Sequence, residues 1–121
     1  MLLSWSHPEL WKSYTQVTHA NYGTGSGFVL GEGIGVIDLD YCIMADGSLS
    51  PLAQNVLSRN EGAWVEYSQS GRGLHVWGLL DGDMHIKERG FEVYAGDAKR
   101  FVWVTGKVYR PGALLPLDVS L

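Results

Sequence analysis

The chain has a single cysteine, Cys42, in 121 residues. One thiol excludes an intrachain disulfide framework and fits a reducing, cytoplasmic setting. A long apolar run is also missing. After Met1-Leu2-Leu3 the amino terminus turns polar and aromatic, so no signal peptide, membrane span or membrane partner is expected. Basic residues are scarce, nine Lys and Arg against thirteen Asp and Glu, a net charge of −4. That balance argues against tight, nonspecific binding of nucleic acid. There is no Gly-x-x-x-x-Gly-Lys-Ser/Thr loop, so no ATPase or helicase engine is encoded here. The histidines at 7, 19, 75 and 85 form no His-x-His pair, which counts against a rolling-circle nickase. Repeats, low-complexity runs and internal linkers are absent.

What is present describes one packed domain, residues 1–121. Apolar residues make up 45% of the chain, with five Trp and six Tyr, a composition that favours a core over disorder. Charge is unevenly spread. Residues 1–70 carry two bases and seven acids, whereas 71–121 carry seven bases and six acids. Arg72, Lys87, Arg89, Lys99, Arg100, Lys107 and Arg110 can form a modest cationic edge or an ordinary solvated surface.

Ser6-His7-Pro8-Glu9 reads as a helix start, followed by Leu10, Trp11, Tyr14 and Val17 at helical spacing. Strands are expected at 27–30 and 34–39. A turn at Asp46-Gly47 precedes a second helix capped by Ser50-Pro51, with Leu52, Val56 and Leu57 on one face and Gly62 beyond its end. Stretches 63–68 and 74–80 read as an antiparallel pair. Asp81-Gly82-Asp83 is a loop, strands follow at 91–95 and 101–105, and Pro111, Gly112 and Pro116 mark an irregular tail. This order predicts a mixed α/β sheet with helices covering one face.

Three segments carry chemistry. Gly35-Val36-Ile37-Asp38-Leu39-Asp40 is an apolar strand ending in two carboxylates that share a face. Like charges so close repel, and a divalent cation relieves the conflict; Mg²⁺ or Mn²⁺ suits such oxygen ligands and activates phosphoryl transfer. A strand running into an acidic, solvated turn is the plain alternative. Ser68-Gln69-Ser70-Gly71-Arg72-Gly73-Leu74-His75 joins two strands. Its glycines at 71 and 73 permit a tight turn with N–H groups open to phosphate oxygens, Ser70 adds a hydroxyl and Arg72 a charge. From these residues alone a glycine hairpin with an ordinary histidine is the favoured reading. In Phe91-Glu92-Val93, Glu92 faces opposite to its neighbours. It is a surface acid if only their face is covered, and a partly buried acid needing a cation if both faces are.

Taken together and in this order, the segments resemble the archaeo-eukaryotic primase superfamily, most closely the primase-polymerase domains of phage and plasmid replication proteins. The acid-x-acid motif is matched by Asp38 and Asp40. The serine-glycine turn leading to a histidine is matched by Ser70, Gly71, Gly73 and His75, and the later strand acid by Glu92. An arginine-aromatic strand ending in Thr-Gly is matched by Arg100, Phe101, Thr105 and Gly106. Gly25-Ser26-Gly27-Phe28-Val29-Leu30 is similar to the segment before the first motif. The resemblance spans about residues 6–106 and implies an RRM-like catalytic core.

It further implies a DNA primase or polymerase in which Asp38, Asp40 and Glu92 hold Mg²⁺ or Mn²⁺. Ser70, Gly71, Arg72, Gly73, His75 and Arg100 would contact a nucleoside triphosphate, with His75 also a candidate proton donor to pyrophosphate. Arg100 suits either phosphate or a salt bridge to Glu92. The implied partners are nucleoside triphosphates, a DNA primer and template, and a helicase, fused or separate. Family domains are often longer and carry a basic, proline-containing segment before the first helix. The chain is therefore expected to be an excised fragment, a minimal domain or a remnant with another role. A metal-dependent nuclease and a non-catalytic binding or inhibitor protein are the alternative functions.

Overall fold

A computed structural model describes residues 26–29, 33–80, 85–95 and 101–120; at 26–29 and 101–103 it describes the backbone alone. The expected first helix, the Asp81-Gly82-Asp83 loop, Gly25, Leu30 and Arg100 lie outside the described residues.

The described elements run β1 (Ser26–Val29), β2 (Ile34–Leu39), α1 (Pro51–Arg59), β3 (Trp64–Tyr67), β4 (Leu74–Leu79), β5 (His85–Glu88), β6 (Phe91–Tyr94), β7 (Phe101–Val104) and β8 (Val108–Arg110). A six-stranded sheet has the order β5-β6-β2-β4-β3-β8, and β1 pairs with β7 in a separate two-stranded sheet. The α/β class is as expected, but the six-stranded sheet is not of mixed direction. Every pair of named strands in it is antiparallel, and the only parallel pairings among the described residues are isolated bridges, Ala63 to Ala113 and Leu79 to Pro116. The reason lies in the connections. Two tight turns, 68–73 and 89–90, make β3-β4 and β5-β6 hairpins, and antiparallel neighbours need no long crossover.

Strands β5 and β8 were not expected. The β5 run His85-Ile86-Lys87-Glu88 is largely exposed and polar, so it carries little apolar signal. It forms through backbone pairing with the edge of β6. Strand β8 likewise has an exposed Val108 and pairs with β3 across a register shift.

Alternation along the strands divides the sheet into two faces. Ile37, Leu39, Val65, Leu74, Val76, Phe91 and Val93 form one buried cluster with Ala53, Val56 and Leu57 of α1 and with Cys42. Burying each large side chain there contributes about 1.5–3 kcal/mol. Helix α1 starts where the sequence indicated. The Ser50 hydroxyl accepts from Ala53 N at 3.2 Å and Pro51 opens the first turn. Its far end is tied to the tail. Asn60, buried at the C-cap, donates to Val56 O at 2.9 Å and accepts from Asp118 N at 2.8 Å. Arg110 donates to Asn60 O at 2.7 Å, so this base is engaged at the helix terminus.

Candidate functional site

The second face of the sheet carries the polar residues, and register assembles them. Asp38 on β2 stands opposite His75 on β4 and opposite Glu92 on β6. Glu66 on β3 stands opposite His75, and Lys87 on β5 opposite Glu92. Directly paired residues project to one face with Cβ atoms about 4.5–5.5 Å apart. A single polar row therefore crosses five strands in the order Lys87, Glu92, Asp38, His75, Glu66. Asp40 follows at the end of β2, beside the 68–73 and 89–90 turns, its N–H donating to Gly90 O at 3.1 Å.

Both faces of this sheet are covered at the inner strands β6, β2 and β4, whereas edge strand β5 is exposed. Phe91 and Val93 enter the core, whereas Glu92 is half-buried with its side chain 17% exposed. Of the two readings that its neighbours allowed, the partly buried acid is the one observed. Glu92 accepts from the Tyr94 hydroxyl, and His85 Nε2 lies 3.7 Å from it. His85 also stacks on the Tyr94 ring, with centroids 5.0 Å apart. Arg100, proposed as a partner of Glu92, is outside the described residues.

At the centre of the row His75 Nε2 lies 3.4 Å from Asp38 Oδ1. Both Asp38 Oδ1 and His75 Nδ1 are buried without a hydrogen bond among the described residues. The Asp40 carboxyl is held above the ordinary carboxylate range. Desolvation is the main cause, followed by the charge of Asp38, a hydrogen bond with Asp38 and the charge of Glu92, while His75 pulls the other way. The acid-x-acid pair thus shares the electrostatic conflict expected of it. The donor chemistry fits a hard divalent cation, and an orphaned carboxylate oxygen is in reach. The ligands are not drawn together as they stand. Among the described residues no three His, Cys, Asp or Glu side chains are gathered closely enough to hold a metal ion. Asp38 is turned to His75, and Glu92 to Tyr94 and His85.

The 68–73 turn departs from its expected form in one respect. Its N–H groups are not open. Gly71 N donates to Ser68 O at 2.9 Å, Arg72 N to Ser70 Oγ at 3.2 Å and Gly73 N to Ser68 Oγ at 3.0 Å. Serine hydroxyls compete for nearby backbone donors in this way. Gly71 takes φ +78°, and a Cβ there would meet open space. Gly73 is needed for another reason. A Cβ on it would lie 2.5 Å from the carbonyl oxygen of Leu39, so its bare backbone lets the turn close onto the end of β2. Ser70 and Arg72 remain exposed beside Asp40 at this end of the sheet.

Glu66 belongs to none of the expected motifs. It is fully buried, accepting from Trp64 Nε1 at 3.1 Å and from Thr105 N at 3.1 Å. Burial raises its carboxyl to about 7, opposed by hydrogen bonds from the Thr105 and Gly106 backbone and by the charge of His75. The Thr105 hydroxyl also donates to Tyr67 O at 2.7 Å. Thr105-Gly106 is therefore a clasp that fastens the end of β7 to β3. The parity of Trp64 and Glu66, with the hairpin register, is the signal that would have placed Glu66 beside His75. Cys42 is a small core residue whose thiol is pushed up chiefly by burial.

No family model matches the chain, and no curated protein matches it. Among the described residues no helix is long and apolar enough to cross a membrane.

Proposed function

We propose that this chain is a metal-dependent nucleotidyltransferase of the primase-polymerase kind, adding nucleotides from triphosphates to the 3′-hydroxyl of a DNA primer. One observation carries the reading. Three residues distant in sequence and expected at one centre, Asp38, His75 and Glu92, fall into one cross-strand row, with Asp40 and the Ser70–Gly73 turn at its end. The element order β2-α1-β3-β4-β6 supports an RRM-like core, since it follows the β-α-β-β-α-β plan with strand β5 where a second helix would stand.

Asp38, Asp40 and Glu92 are the candidate ligands of Mg²⁺ or Mn²⁺. A divalent ion there would supply charge neutralisation at the phosphate oxygens and at the attacking hydroxyl. The chain's own residues have complementary work. Ser70 and Arg72 offer a hydroxyl and a cation to the triphosphate. His75, beside Asp38, is positioned to hold a proton at Nε2 near the same phosphates. Burial of His75, with Asp38 half-buried beside it, strengthens their interaction by limiting water. Loading requires Glu92 to leave Tyr94 and the Asp38–Asp40 hydrogen bond to open, modest side-chain changes about fixed backbones.

The test is extension of a labelled primer on a DNA template at low salt with Mg²⁺ or Mn²⁺. Extension by wild type and none by the Asp38→Ala/Asp40→Ala double variant is expected. Equal inactivity with both metals refutes the polymerase reading. The second reading, a binding protein without catalysis, is favoured by the 68–73 turn, whose N–H groups are already taken.

A further inference from the structure

Tyr41 directly follows Asp40 and has two properties that residues of its kind rarely combine. Its backbone takes φ +50°, the only positive φ at a non-glycine residue among those described. A bulky side chain in that region is strained against its own carbonyl. Its side chain does not compensate by burial. Tyr41 is 75% exposed, whereas the other exposed large apolar residues described, Met44, Val108 and Leu115, are 40–41% exposed. Folding alone gains nothing from a strained aromatic held in water, and strain of this sort persists where the surroundings impose it.

The surroundings do impose it. Asp40 N is bonded to Gly90 O, Cys42 is buried with its carbonyl accepting from Ser50 N at 2.8 Å, and Ile43 N donates to Arg72 O at 3.3 Å. Both flanks of Tyr41 are thus pinned, one to the acid end of β2 and the other to the 68–73 turn. The residue sits between the candidate metal ligands and the candidate triphosphate turn, at the same end of the sheet.

We propose that Tyr41 is the base-stacking residue of the nucleotide site, its ring receiving a nucleobase whose phosphates lie over Asp38, Asp40 and the 70–73 turn. The proposal rests on the nucleotidyl-transfer reading. A flat π-face takes any base without hydrogen-bond readout, as a template-directed reaction requires. The base belongs to the incoming nucleotide or to the DNA strand, and the two are separable by titration.

The experiment measures calorimetric affinity in Mn²⁺ for three probes: a deoxynucleoside triphosphate, inorganic tripolyphosphate, and a short single-stranded oligonucleotide. Wild type is compared with Tyr41→Ala, Tyr41→Phe and Tyr41→Gly. Tyr41→Ala should weaken either the nucleoside triphosphate or the oligonucleotide by about 5- to 100-fold, the equivalent of one base stack, and leave tripolyphosphate within about 2-fold. Loss on the first probe assigns the incoming base, and loss on the second the strand. Tyr41→Phe should bind as wild type. Tyr41→Gly should lose affinity like Tyr41→Ala while its Tm stays level or rises by up to about 5 °C, because glycine relieves the strain. Wild-type affinity of Tyr41→Ala for all three probes overturns the stacking role and leaves the site. Failure of wild type to bind any probe overturns the site and the proposal with it.

Discussion

Glu66 offers the sharpest physical test of the polar row. Its carboxyl is raised from the ordinary 4.5 to about 7, chiefly by burial. Between those values the folded protein keeps a proton that the unfolded chain has released. Folding therefore takes up a proton there, and stability falls as pH rises. The contribution is whole below pH 4.5 and gone above pH 7. At about 1.4 kcal/mol per pH unit the loss comes to about 3 kcal/mol. Glu66→Gln removes the titration. It also introduces a fixed penalty, since Trp64 Nε1 and Thr105 N both donate to this side chain and glutamine has one acceptor oxygen. An unpaired buried donor costs about 1–3 kcal/mol at every pH. Urea unfolding of both proteins at pH 4.0 and pH 8.0 separates the two effects. The variant should be less stable than wild type at pH 4.0 and equal or more stable at pH 8.0, a swing of about 3 kcal/mol. Measuring the difference cancels the titration of Asp46 and Asp118, whose carboxyls are lowered by hydrogen bonds from Ser48 and Ser120. A difference that is the same at both pH values refutes the account of Glu66.

Gly73→Ala should lower stability by about 1–3 kcal/mol in thermal unfolding, because its Cβ would press on the Leu39 carbonyl and not on a side chain that can move. Gly71→Ala meets open space and should cost only about 1 kcal/mol, from its positive φ. Equal losses at the two glycines would contradict the close approach of turn and strand. His75→Ala should weaken nucleoside triphosphate binding at least about tenfold, as loss of a charge-assisted hydrogen bond implies; unchanged affinity by calorimetry would remove His75 from the site.

The elements that were legible in the sequence are those with strong local chemistry. Ser50-Pro51 announces α1, and the β-branched run Ile34–Leu39 announces β2. The placement of Asp38, His75 and Glu92 on one face follows from alternation, once the three strands are neighbours. Beyond the β3-β4 pair, whose antiparallel direction the short 68–73 turn announces, strand direction was not legible, because an apolar run has the same pattern in a parallel or an antiparallel sheet. Strands β5 and β8 were hidden because backbone pairing with a neighbouring edge makes them, with little help from buried side chains. The closed state of the 68–73 turn depends on Ser68, whose hydroxyl takes the Gly73 N–H that phosphate was expected to meet. Glu66 was overlooked for a similar reason. A lone acid in Ala63-Trp64-Val65-Glu66-Tyr67 looks solvated until Trp64 and Thr105 are seen to enclose it.

The row at Asp38 is expected to take up a divalent cation together with a nucleotide. Calorimetric titration of Mn²⁺ in the presence and absence of a nucleoside triphosphate, on wild type and on Asp38→Ala/Asp40→Ala, tests it most directly. Wild type should bind Mn²⁺, the nucleotide should tighten that binding, and the double variant should lose both effects while remaining folded. Mn²⁺ binding of equal strength in the two proteins, or none in either, would contradict it.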